Sequence, residues 1–467
     1  MSLHRLPLSL SAFSLLTVLS LSTMAQPMTF ETAWQRLQTD SDKLAAADAA
    51  VQSKVFQVQG LQGMGGPTVS MSANAFAYNA TLAVNLDSVN QRINQLEQQL
   101  PIPLQSLPIP LSVPQLPSTY SYNRQSTASN ASVSAVWPIY VGGATDAARL
   151  FAKAQVSEAQ ADAAQTTHEL ATLLVQRYFG AQLAQQAARL RQAALDDIVQ
   201  HDAAVGKMLA AGVISRMEQL QTKVALEDAR RNALKAHDDA ELAATALART
   251  VKAQAPVSAS SPLFVLSEGI EPLSYFVDAS QLRHPGLAKV AARKAQAEQL
   301  HESGEALRKP QIFAFGRREL QTGPADWVAG IGVRWTLFDA IDRNAMAASS
   351  QKRIEQAEHT DAQARSDIAL LVEKNWRAVI NGQRQFSATQ PGTELAAEVL
   401  RLRTVALREG TGTALELIDA EVNQAKVKTE RAQAAYDYVL ALARLLESCG
   451  LSDQFQTYIT RADITLP

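Results

Sequence analysis

The sequence predicts a mainly α-helical chain with a membrane β-barrel portion, built from one duplicated unit of helix, strand, strand, long helix and return helix. Three observations carry this. Two alanine- and glutamine-rich helical patterns are far longer than a globular domain uses. Each is preceded by two segments that alternate with period two. Each ends in a Gly-x-x-Ser/Thr-x-x-Glu turn, and the two turns lie at one constant offset. Leu209 falls on Leu407, Gly212 on Gly410, Ser215 on Thr413 and Glu218 on Glu416. The same offset of 198 places Trp137 on Trp335, Tyr140 on Phe338 and Leu247 on Leu445. A gapless offset over that span means internal duplication.

The opening residues read as a secretory signal. His4 and Arg5 precede a largely apolar run, Leu6 to Leu21, and Thr23-Met24-Ala25 ends in a small residue. Residues 1–25 are thus expected to be removed, with no cysteine at the cut to carry lipid. Losing Arg5 takes the formal charge from −2 to −3.

Residues 26–252 form the first predicted repeat. Phe30, Ala33, Trp34, Leu37, Leu44 and Val51 recur at helical spacing, so Phe30 to Gln62 reads as helix until Gly63, Gly65, Gly66 and Pro67 stop it. Strands follow at about 67–80 and 128–140. Val69, Met71 and Ala73 share one face against Ser70, Ser72 and Asn74; Val133 and Ala135 oppose Ser132 and Ser134. Between these strands, Asp87 to Leu100 suits a short amphipathic helix, and 101–117 is proline-rich and extended. A long helix then runs over about 142–209, a tip turn over 209–215 and a return helix over 215–252. The long helix's roughly 65 residues at 1.5 Å each give about 100 Å, which demands a paired, coiled-coil-like neighbour such as the return helix.

Residues 253–273, with Pro256, Pro262 and Pro272, are the linker. The second repeat, 274–449, repeats the plan: a helix from Phe276 to Leu307, strands at about 310–318 and 326–338, a long helix over about 341–408, a tip turn at 407–413 and a return helix over 413–447. Pro391-Gly392 should break the long helix. Residues 450–467 read as an irregular or weakly extended tail. Ala33 aligns with Ala279 at an offset of 246, and the excess of 48 matches the insert between the first two strands.

Composition narrows the function. Charged residues are 19% and the net charge is small, so no nucleic-acid partner is implied. A single cysteine, Cys449, excludes a disulfide framework and reads as a passive apolar residue. The seven histidines show no ligand spacing, so no metal site or cofactor is expected. There is no nucleophile elbow or phosphate loop, and the chain is not expected to be an enzyme.

Four strands cannot close a barrel, and an open sheet edge cannot sit in lipid. Several chains must pool strands, and three would give 12. Trp137, Tyr140, Trp335 and Phe338, where strand passes to helix, suit a membrane-interface aromatic girdle. Packed core aromatics are the other use of such residues.

The duplicated plan, the segments VWPIYVGGA and RWTLFDAIDR, and the two turns together resemble the outer-membrane efflux protein family, the TolC-type channels, over essentially the whole mature chain. At the second turn Gly410, Thr413, Glu416, Asp419 and Ala420 match the family pattern, with Leu417 and Ile418 as its apolar pair. The resemblance implies a trimeric exit duct in the outer membrane of a Gram-negative bacterium. Its helical portion stands in the periplasm and serves an inner-membrane transporter and a periplasmic adaptor in efflux or type I secretion. It implies gate or selectivity roles for Glu416, Asp419 and Glu218, with Gly212, Ser215, Gly410 and Thr413 as tip and adaptor contacts. Leu407 and Gly412 stand where members often carry tyrosine and arginine, which tells against a Tyr/Arg/Asp latch. Taken alone, each carboxylate is an ordinary helix-start residue favoured by the dipole. A periplasmic coiled-coil adaptor without a pore is the competing reading. It would lack strand pairs of membrane length.

Overall fold

The computed structural model describes residues 26–99, 114–320 and 326–466. The expected signal segment, most of the proline-rich stretch and the loop around Gly323-Pro324 lie outside those residues.

In chain order the elements are β1 (Gln26–Met28), α1 (Phe30–Asp40), α2 (Asp42–Gly60), β2 (Thr68–Asn85), α3 (Asp87–Gln99), β3 (Thr119–Tyr140), α4 (Ala144–Ala210), α5 (Arg216–Thr250), β4 (Val257–Ala259) and β5 (Leu263–Val265). There follow α6 (Leu273–Arg283), α7 (Pro285–Ala306), β6 (Gln311–Glu319), β7 (Trp327–Arg334), α8 (Arg343–Ala388), α9 (Gln390–Arg408) and α10 (Ala414–Cys449). A 3-10 turn (Ser452–Gln454), α11 (Phe455–Arg461) and β8 (Ile464–Leu466) complete the chain.

Two compact units result. The helical unit takes in the described part of Met1–Gln59 with Arg149–Leu300 and Ala348–Pro467. Its core gathers aromatic rings from distant parts of the chain. Phe30 lies 5.6 Å from Phe179 and 5.1 Å from Phe455, and Phe179 lies 5.8 Å from Phe264. The buried Tyr178 hydroxyl donates to the Met28 carbonyl at 2.6 Å and accepts from the Ser260 and Ser261 amides at 3.1 and 2.8 Å. One hydroxyl thereby fixes the ends of β1 and β4, which pair in parallel. Cys449 is buried in this core, and burial pushes its thiol up to about 12.

The other unit, Gly60–Ala148 with His301–Ala347, holds one antiparallel sheet in the order β2-β3-β6-β7. Among the described residues both outer strands, β2 and β7, keep one edge unpaired.

Several expectations are corrected. The first helix of each repeat is split. Ser41 and His284 take extended backbone, and Pro285 excludes helical geometry at His284. The split helices match at an offset of 243, with α1 and α6 both 11 residues long, not at 246. The linker contains β4 and β5. The tail is ordered: α11 buries Phe455 and Tyr458, and β8 pairs with β5. Tyr458 and Arg461 both bond Glu271, each at 2.6 Å, so the tail is tied to the residues just before α6.

The strand bounds also differ. β2 and β3 run to 18 and 22 residues, well past the expected ends. β7 stops at Arg334, short of Phe338. Its partner β6 has begun by then: Arg334 pairs with Gln311, and the next partner would be Pro310, which has no amide to give. In the long second-repeat helix, α9 starts at Gln390 with Pro391 in its first turn, a position where the missing N–H costs nothing.

Candidate functional site

The two tip turns are built alike. α4 ends as the Gly212 amide bonds the Leu209 carbonyl at 2.9 Å and the Val213 amide bonds Met208 at 2.9 Å. α9 ends the same way: Gly410 to Leu407 at 3.2 Å and Thr411 to Ala406 at 2.9 Å. This paired closure needs a left-handed residue, and Gly212 and Gly410 have φ of 71° and 73°. The outgoing helices start with a reciprocal cap. The Glu218 amide donates to Ser215 Oγ at 3.2 Å, while Glu218 Oε2 accepts from the Ser215 amide at 2.8 Å. Glu416 and Thr413 repeat this at 3.2 and 3.3 Å.

These caps give the carboxylates a local task. Each neutralises amides at a helix start, where negative charge is favoured. Glu416 is further held by Arg403 of α9, with Nη1 3.0 Å from its Oε2. Asp419 differs. It is exposed, and its side chain has no bond or ion-pair partner among the described residues. Gly212, Ser215, Gly410 and Thr413 are all exposed, and so is Val213, at 71%.

A short way along from the tips, Ile198 of α4, Leu226 and Ala229 of α5 and Ile418 of α10 form a small buried cluster. His201 Nε2 lies 2.7 Å from Glu421 Oε1 beside it, joining the first repeat to the second. The bond to Glu421 holds the imidazole above its ordinary pKa against the opposing effect of burial, with Asp197 adding to the rise. No spacing in the sequence marks this pair.

The sheet presents two chemically different faces. Register places Val69, Met71, Val133, Ala135, Ile331 and Val333 on one face. Trp327 and Ile331 there are 74% and 72% exposed. The other face carries Ser70 bonded to Ser134 at 2.9 Å and Ser72 to Ser132 at 3.1 Å. It also carries Phe313 and Phe315, which lie over Gly332 and Gly330. A Cβ at Gly332 would stand 2.6 Å from the Phe313 ring, and one at Gly330 3.1 Å from Phe315. The glycines of β7 thus make room for the phenyl rings of β6, and the period-two match of Phe313/Phe315 with Gly332/Gly330 was available as a signal.

Trp137 belongs to β3 and lies on the apolar face, and Tyr140 ends that strand. Trp335 and Phe338 fall just beyond β7. All four are exposed. The Trp137 indole donates to the Gly65 carbonyl at 3.1 Å, and the Trp335 indole to the Arg308 carbonyl at 3.1 Å. Each therefore anchors the segment that leads into the neighbouring strand.

Among the described residues no helix is long and apolar enough to cross a membrane, and no group of three or more His, Cys, Asp or Glu could hold a metal ion.

Comparison with known proteins agrees over the length of the chain. The sequence profile of a family described as "Outer membrane efflux protein" matches residues 111–251 and 277–451. The fold is similar to the CmeC outer membrane channel of Campylobacter jejuni (TM-score 0.71, 12% identity, covering 93% of this chain and 90% of that one). It is also similar to the outer membrane protein VceC of Vibrio cholerae (0.68, 15%, 90% and 96%) and the MtrE outer membrane channel of Neisseria gonorrhoeae in its open state (0.69, 15%, 90% and 88%). No curated protein matches the sequence.

Proposed function

The chain belongs to the outer membrane efflux protein family, and from that premise we propose that three copies form the exit duct of a tripartite efflux or type I secretion system. It is an outer-membrane channel protein with a helical periplasmic portion, not an enzyme. Substrates reach it from an inner-membrane transporter through a periplasmic adaptor.

The observation that carries the trimer is the four-stranded sheet. One face is apolar but for Arg318, exposed along β2 and β7 and mostly half-buried on β3 and β6, and among the described residues both edge strands have a free edge. Free edges in lipid would leave a row of polar backbone groups unbonded. Pairing β2 of one copy with β7 of the next removes every edge and gives a barrel of 12 strands. The serine face then borders water. Trp137, Tyr140, Trp335 and Phe338 sit at the lipid interface, where amphipathic rings are favoured. A pore-free coiled-coil adaptor gives no use to such a face.

The turns at Gly212–Ser215 and Gly410–Thr413 are the adaptor contact, because they are exposed, stiffened by caps and presented twice per copy. Asp419, Glu416 and Glu218 form acidic rings by three-fold symmetry, with Asp419 the freest charge. Carboxylate rings favour cations.

Detergent-extracted protein from the outer-membrane fraction should have the mass of three chains and conduct ions in a planar bilayer. A monomer that stays in buffer without detergent refutes the proposal.

A further inference from the structure

The two hairpins of the sheet differ greatly in length. β6 pairs with β3 only as far as Ser132↔Glu319, whereas β2 and β3 stay paired to Asn85↔Thr119. Beyond that point, from Asn74↔Asn130 outward, the hairpin is a bare two-stranded ribbon. At roughly 3.3 Å per residue it projects about 35 Å past the sheet. A two-stranded ribbon alone in water is marginal, so one face needs a cover.

The ribbon's chemistry indicates which face. The β2–β3 ladder has no register shift, so each face keeps its identity along the whole hairpin. Within the sheet the apolar side is the one bearing Val69, Met71 and Val133. In the ribbon the apolar side is the opposite one, continuous with Ser70, Ser72 and Ser134. There β2 offers Phe76, Tyr78, Leu82 and Val84, and β3 offers Tyr120 and Tyr122. Leu82 and Tyr122 are direct partners and remain 63% and 55% exposed. The Phe76 and Tyr78 rings stand 6.3 Å apart. The former apolar side now carries Asn79, Thr81, Asn123 and Gln125. Polarity therefore changes sides at Phe76.

We propose that the aromatic faces of three ribbons pack against one another over the outer mouth of the barrel, forming an apolar constriction there. This rests on the trimeric duct proposed above. In that duct the serine face borders the lumen, and the aromatic face is its direct continuation, so it overhangs the pore axis. Lipid cannot be the cover, since lipid meets the other side of the sheet. The polar side of the ribbon points away from the axis, where water is. What remains within reach of the aromatic face is the same face of the other two copies. Arg124, the one charge on the ribbon's aromatic face among the described residues, adds a ring of three positive charges at the constriction.

Two measurements on the same detergent-purified trimer test this. With Cys449→Ala as background, Tyr122→Cys should form disulfide-linked dimers within the trimer under mild oxidation, and Asn123→Cys, on the opposite face, should not. The triple variant Phe76→Ser, Leu82→Ser, Tyr122→Ser should raise single-channel conductance at least two-fold. Trimeric, conducting protein that shows no link at position 122, equal linking at 122 and 123, or unchanged conductance in the triple variant overturns the constriction and leaves the duct standing. Wild-type protein that is neither trimeric nor conducting overturns the duct itself.

Discussion

His201 and Glu421 meet at 2.7 Å across the boundary between the two repeats, with Glu421 offering its Oε1 and leaving Oε2 without a bond partner among the described residues. The contact is a charge pair only while the imidazole is protonated. Its pKa is raised in the folded protein, chiefly by the bond to Glu421. The stabilisation is therefore complete below the ordinary histidine pKa of about 6.5 and is lost as pH rises through the higher folded value. Thermal unfolding of the purified protein at pH 5.5 and pH 8 should show a loss of stability on going to the higher pH. His201→Gln should flatten that difference. An unchanged slope in the variant would show the pair to be electrostatically idle.

The tip caps make a second prediction. Ser215→Ala and Thr413→Ala each remove a side-chain acceptor for a helix-start amide and should cost about 0.5–2 kcal/mol. Gly410→Ala forces a side chain into left-handed backbone and should cost about 1 kcal/mol. Denaturant midpoints read both. Equal stability in all three variants would mean the turns are held by the assembly rather than by their caps.

Ion selectivity should separate two carboxylates on one helix. Asp419 is exposed and has no side-chain partner among the described residues, while Glu416 is held by its cap and by Arg403. Asp419→Ala should reduce cation preference, read as reversal potential across a salt gradient, more than Glu416→Gln does. The opposite order would place the selecting charge at Glu416.

In the sheet, Gly332→Ala should destabilise the folded protein by about 1–3 kcal/mol, because its Cβ meets the Phe313 ring. Adding Phe313→Ala should recover most of the loss. Thermal denaturation of the purified protein measures it, and additivity of the two changes would refute the cross-strand packing.

Tyr178→Phe should be costly for so small a change. It strips the Ser261 amide of its partner, while the Ser260 amide and the Met28 carbonyl, which also bond each other at 3.0 Å, lose one of two. One such group left unbonded costs about 1–3 kcal/mol. A melting temperature within a degree of wild type would mean water replaces the hydroxyl.

Much of the plan was legible from residues. The offset linking Gly212 to Gly410 and Ser215 to Thr413 reveals the repeat, and the caps found there are of the types those residues favour. Alternation along β2 was legible too, but only to Tyr78. From Phe76 the apolar residues change sides, so a period-two reading that follows one face ends while the strand continues. His284-Pro285 held a break that helical spacing masked. The order of the tail was hidden because Phe455 and Tyr458 find their partners hundreds of residues upstream. The His201–Glu421 pair was invisible because it depends on how α4 and α10 lie together.

The contact of Phe30 with Phe455 sets a timetable for biogenesis. A chain exported from its first residue holds Phe30, Phe179 and Phe264 on the far side of the inner membrane well before Phe455 arrives. Until then the helical unit lacks a wall, and its aromatic interior stays open to chaperones and proteases. Secretion arrested or truncated short of Phe455 should leave a protease-sensitive species, and release of the final turns should be the event that confers resistance.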